Sequence, residues 1–138
     1  MKPAVEESAR DVNLNSSWHA NIASPQDLAG VVQMNGSASM APGVKRATTQ
    51  VALTLGNTAP GGKHPWAIHL GQCGQDEGVF GDPQDYPPLQ VSADGTGQSK
   101  AIVAINTPAS GSYFVSVQAS LANAGLTVAC GNLAAPTA

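Results

Sequence analysis

The chain has 138 residues, the length of one domain with a core of its own. Its formal charge is −3, only 11% of its residues are charged, and it has no basic stripe or phosphate-cradling glycine loop. These features argue against nucleic acid as a partner. Aromatic residues make up 4% of the chain, whereas Val, Thr, Ser, Gly and Pro are plentiful, which favours many short strands joined by turns.

Residues 1–16 are polar, with Glu6, Glu7, Arg10 and Asp11, and read as a tether ahead of a domain spanning 17–133. No apolar run approaches membrane-spanning length, and no signal-like apolar segment follows Met1-Lys2-Pro3. The first expected strand is Trp18 to Ala23. The next extended run is Val31 to Met40, with a kink or bulge at Gly36 preferred over a hairpin turn at Asn35-Gly36. Thr49 to Leu55 alternates, with Val51, Leu53 and Leu55 on one face, as a half-buried strand should.

In the strand expected over 64–70, Trp66, Ile68 and Leu70 take the core face, so Ala67 and His69 face outward. Residues 74–89 are expected to form a long irregular loop with a solvated set of acids, Asp76, Glu77, Asp82 and Asp85. Asp94-Gly95 marks a turn before a strand from Ser99 to Ile105. In Tyr113–Ala119 the core face holds Tyr113, Val115 and Val117, leaving Phe114, Ser116 and Gln118 outside. The last strand is Leu126 to Ala129, and 134–138 form a tail. The pattern is all-β, a Greek-key sandwich or flattened barrel of about eight strands. No Gly-x-Ser-x-Gly elbow occurs, and neither His64 nor His69 has an acidic orienter beside it in sequence.

Three segments together resemble a known family. They are His64-Pro-Trp-Ala-Ile-His69-Leu-Gly-Gln-Cys73, Tyr113-Phe-Val-Ser-Val-Gln118 and Val128-Ala-Cys130-Gly. They are similar to the metal-site strands of the copper/zinc superoxide dismutase superfamily, over roughly residues 17–133. Tyr86-Pro-Pro-Leu89 followed by Ala93-Asp-Gly95 resembles its bacterial members with a shortened metal loop. The resemblance implies a Cys73–Cys130 disulfide, and with it a periplasmic or extracellular setting reached through a signal or anchor removed from the N-terminus. Closing a loop of that length stabilises by roughly 4 kcal/mol.

The resemblance also implies a degenerate metal site. Copper in this family takes four imidazoles, and this chain holds 3 histidines in all. Ala67 and Gln118 stand where two ligands are expected, and only His69 matches its place. Thr127 stands where the family's substrate-guiding arginine belongs. The zinc loop has acids but no histidine. The reading is therefore a non-catalytic domain without a cofactor, serving as a structural or protein-interaction module. A protein partner or self-association is expected, with membrane contact only through the removed anchor. The rival reading is a copper-handling protein using His69, with His64, His19, Met34 or Met40 as further ligands. The expected contact surface joins Ala67, His69, Phe114 and Gln118 to Phe80 and Tyr86, with burial of Phe114 under the 74–89 loop expected ahead of a place in an interface.

Overall fold

The structure, a computed structural model, describes residues 17–25, 33–123 and 125–136. The expected tether, the first two residues of the run from Val31 and the last two of the tail lie outside them. Ten strands are described: β1 Trp18–Ala23, β2 Asn35–Pro42, β3 Thr49–Gly56, β4 Lys63–His64, β5 Trp66–Gln72, β6 Gln75–Val79, β7 Leu89–Val91, β8 Gly97–Val103, β9 Tyr113–Gln118 and β10 Thr127–Asn132. They form one curled antiparallel sheet in the order β4-β7-β8-β3-β2-β1-β10-β9-β5-β6.

β4 and β5 are two halves of one strand bent at Pro65. The first half pairs with β7 and the second with β9, at opposite ends of the strand order. Proline has no N–H to donate, so it suits a point where the ladder changes partner. The Gln118 N–H donates to the Pro65 carbonyl at 2.8 Å, tying the bend to β9. Counted this way the barrel has the expected eight strands, and β6 is an addition.

Alternation fills the interior. Trp18, Met40, Val51, Leu53, Leu55, Ile68, Val103, Val115 and Val117 are almost wholly buried. The two indoles satisfy their N–H groups on proline carbonyls, Trp18 on Pro108 at 2.9 Å and Trp66 on Pro87 at 2.7 Å. Leu70, expected on the core face, is half exposed near the end of β5.

Gly36 makes neither a hairpin nor a bulge. β2 pairs without a register shift with β1 on one side and β3 on the other. The glycine is needed because a Cβ there would run into the Thr54 carbonyl oxygen. The close approach of neighbouring backbone, rather than a turn, explains the residue.

The 74–89 segment is more ordered than expected. β6 folds back on β5, with Gln72 opposite Gln75, and Gly74 supplies the positive φ of +89° at the turn. A 3-10 turn over Pro83–Asp85 follows, capped by the Asp82 carboxylate, which accepts from the Gln84 N–H at 2.9 Å. The Cys73–Cys130 disulfide forms, with Cα atoms 6.1 Å apart, and spans 57 positions. Beside it the Cys73 N–H donates to the Asn132 side-chain oxygen at 2.8 Å. The start of the segment is thus fastened to β10 twice.

Candidate functional site

The outer faces of β5, β9 and β10 form the floor of a cleft of about 1190 Å³. Register places its residues side by side: Ala67 opposite Ser116, His69 opposite Phe114, Cys130 opposite Ser116, and Thr127 opposite Gln118. Thr127 and Cys130 are three apart and would face opposite ways on a regular strand. A register shift between Thr127 and Ala129 inserts Val128 as an extra residue. That bulge puts Thr127 and Cys130 on the same cleft while Val128 and Ala129 are both buried.

His69 is held from two sides. Its Nδ1 lies 2.9 Å from Asp76 Oδ1, and its ring stacks on Phe114 with centroids 5.1 Å apart. A carboxylate can only accept, so Nδ1 carries the proton and Nε2 keeps the lone pair. The same Asp76 oxygen accepts the Gly78 N–H at 2.9 Å. That backbone hydrogen bond, then the His69 bond, holds the Asp76 carboxyl below the usual carboxylate range. An acidic orienter does therefore exist for His69. Sequence reasoning missed it because Asp76 reaches the ring through the β5–β6 hairpin.

Gln118 is knitted into its surroundings. Its amide nitrogen donates to Ser116 Oγ at 3.1 Å and to Thr127 Oγ1 at 3.0 Å. Its main-chain carbonyl accepts from His64 Nδ1 at 2.9 Å. That bond makes Nε2 the bare nitrogen of His64, and it is buried without a hydrogen-bond partner among the described residues. Ala67 is buried on the cleft floor and offers no donor atom.

The structure does not gather the other residues considered for a metal. Met34 and Met40 lie in the core, on the inner side of the sheet. His19 is exposed on the outer side of β1, where its backbone bridges Ala134. Both cysteines are oxidised in the disulfide. Among the described residues no three His, Cys, Asp or Glu side chains converge as a metal site requires. Copper and zinc therefore do not fit the donors present: one imidazole reaches the cleft, with Nε2 alone to offer, and its neighbours are an alanine and a hydrogen-bonded amide.

The aromatic contact surface expected from the sequence is corrected. Phe80 and Tyr86 are 5% exposed and belong to the core cluster, and Phe114 is 3% exposed beneath His69. Phe80 packs edge-on against Tyr113 at 5.7 Å, and Tyr86 against Trp66 at 5.2 Å. The Tyr86 hydroxyl donates to the Phe80 carbonyl at 2.6 Å, which closes the loop upon itself. Burial pushes the Tyr86 phenol well above its usual range. Besides Pro83 and Pro88, the large apolar side chains that face solvent at the cleft are Leu121 and Leu126, 66% and 41% exposed. Their positions in the turn between β9 and β10 carry no periodic signal.

No known family's sequence pattern matches this chain, and no curated protein matches it. Its structure is similar to the crystal structure of a SOD-like protein from Bacillus subtilis, in a double mutant with a tyrosine and a proline each changed to histidine. The TM-score is 0.51 at 14% sequence identity, covering 83% of this chain and 95% of the other. The register, the strand order and this likeness agree: the chain has the superoxide dismutase-like fold.

Proposed function

We propose that this is a non-catalytic superoxide dismutase-like domain, periplasmic or extracellular, acting as a structural or interaction module. The observation that carries the reading is the floor of the cleft. Where the resemblance calls for imidazoles, Ala67 offers no lone pair and the Gln118 amide is spent on Ser116 and Thr127. Redox cycling of copper requires ligands that hold both oxidation states, and a single imidazole does not supply them. No arginine or lysine is among the described residues lining the cleft, so nothing there would draw in an anionic substrate. The disulfide supports an oxidising compartment.

A binding role suits the same features. The fold is held by its core and the disulfide, so the outer face carries little of the structural burden. A protein partner or a second copy would meet the domain at the rim, where Leu121 and Leu126 are exposed, rather than at Phe80 or Tyr86. The test is a superoxide turnover assay on protein loaded with copper and zinc. We expect no rate above that of the metals in buffer. Turnover that requires the loaded protein and is abolished by EDTA would overturn the reading.

A further inference from the structure

We propose that the cleft is a binding site for a small uncharged amphiphile, with a hydrogen-bonding head on Ser116, Gln118 and Thr127 and an apolar body toward Leu121 and Leu126. This goes beyond the module reading and rests on it in one respect, that no metal occupies the face. Shape is the first argument. Small-molecule sites are concave and occupy roughly 300–1,000 Å³, whereas protein interfaces are broad and shallow. The cleft is concave and, at about 1190 Å³, slightly larger than that range, so a small ligand would fill part of it.

The chemistry of the floor gives the head group. Gln118 Nε2 donates to both hydroxyl oxygens; the Ser116 proton is aimed at Gln118 Oε1 at 3.4 Å, with Thr127 Oγ1 equally distant, so Thr127 Oγ1 is the better placed to donate to a ligand. Gln118 Oε1 has only the 3.4 Å contact with Ser116 Oγ, and so remains an acceptor. A hydroxyl donor beside a carbonyl acceptor suits an amide, an alcohol or a ketone. Charge excludes much else. The titratable groups lining the cleft are His69 and Asp76, which are bonded to each other at 2.9 Å, and the Tyr86 phenol, which donates to the Phe80 carbonyl; no lysine or arginine is among them. An anionic head would be desolvated there with no counter-charge.

The apolar end follows from the rim. Leu121 and Leu126 are large, exposed and beside one cavity, and covering them removes apolar area from water. Ala67 leaves space on the floor where a longer side chain would fill it.

Three probes with one apolar body test the proposal: octanamide, octanoate and octylammonium, titrated into the oxidised protein in EDTA-containing buffer and followed by calorimetry. Octanamide is expected to bind saturably, one per chain. Octanoate is expected to bind at least about tenfold more weakly, because its charge finds no partner. Octylammonium should bind no more tightly than octanamide. Thr127→Val and Leu126→Ser should each weaken octanamide at least about threefold with melting temperature kept, since one removes a head-group donor and the other apolar cover. Ala67→Leu should abolish binding if it folds, and the two milder variants decide the matter if it does not. The proposal is overturned by any of three results: no saturable octanamide binding, octanoate or octylammonium binding more tightly, or affinity unmoved by both milder variants. Failure here leaves the non-dismutase reading intact, because no metal enters the measurement.

Discussion

His69 takes its posture from Asp76 and Phe114, and Asp76 in turn from the Gly78 amide. Asp76 keeps its proton off to a lower pH when folded than when unfolded. Its contribution is therefore complete above the ordinary carboxylate pKa of about 3.9 and fades as pH falls through the lower folded value. Urea unfolding from pH 7 down to pH 2 should show Asp76→Asn losing less stability on acidification than the parent. Equal slopes would mean the Asp76 bonds contribute nothing measurable, as exposure of that side chain permits. Tyr86 behaves in the opposite sense. Burial raises its phenol, so its contribution holds below about pH 10 and is lost as the unfolded phenol ionises above it. Tyr86→Phe should cost about 1–3 kcal/mol at neutral pH, because the Phe80 carbonyl loses a buried donor. It should also flatten the alkaline loss, and a variant as stable as the parent would refute the assignment. Of these residues His69 was legible from its place beside Trp66 and Cys73. Asp76 was not, because a partner seven positions away is reached only through a turn with no apolar signature.

Among elements, legibility followed periodicity. β1 and β9 sit where Trp18–Ala23 and Tyr113–Ala119 were expected, within a residue, and β3 carries its alternating apolar face inward as expected. β6 was hidden because Gln75-Asp-Glu-Gly-Val79 alternates nothing: it lies on the rim with little burial. The bend at Pro65 and the extra residue Val128 were hidden for another reason, since both depend on which strand lies alongside. Core elements should respond accordingly. Phe80→Ala should cost about 3–5 kcal/mol, whereas Leu126→Ser, on the exposed rim, should stay within about 0.5 kcal/mol. Thermal or denaturant melts of the two compare them directly, and a neutral Phe80→Ala would return that ring to the surface. Reducing the disulfide should lower stability by up to about 4 kcal/mol. It should also speed amide exchange in 74–79 before the rest of the sheet, and uniform exchange would show that the bond does not fasten that segment locally.

On the scale of the whole molecule, the barrel and its outer face follow separate demands. The inward side chains, such as Val51, Leu53, Ile68, Val115 and Val117, fill the interior of the curled sheet. The outward ones are free to vary, and there Ala67, Ser116, Gln118 and Thr127 form a neutral floor bordered by the His69–Asp76 pair. Gly131 illustrates the fold's own requirements beside that floor. A Cβ at that position would run into the Asn21 carbonyl where β10 passes β1, whatever the cleft contains. The Cys130-Gly131 pair was readable only through its resemblance to a family motif, and the structure supplies the reason: backbone packing and a disulfide constrain it. The cleft's use was not readable, because its shape arises from strands and turns distant in sequence. The most direct test of the account is equilibrium dialysis of the oxidised, chelator-stripped protein against micromolar copper, with copper counted per folded chain. The account predicts no stoichiometric binding, and the same residual uptake in His69→Ala as in the parent. One copper per chain, lost in His69→Ala, would contradict it.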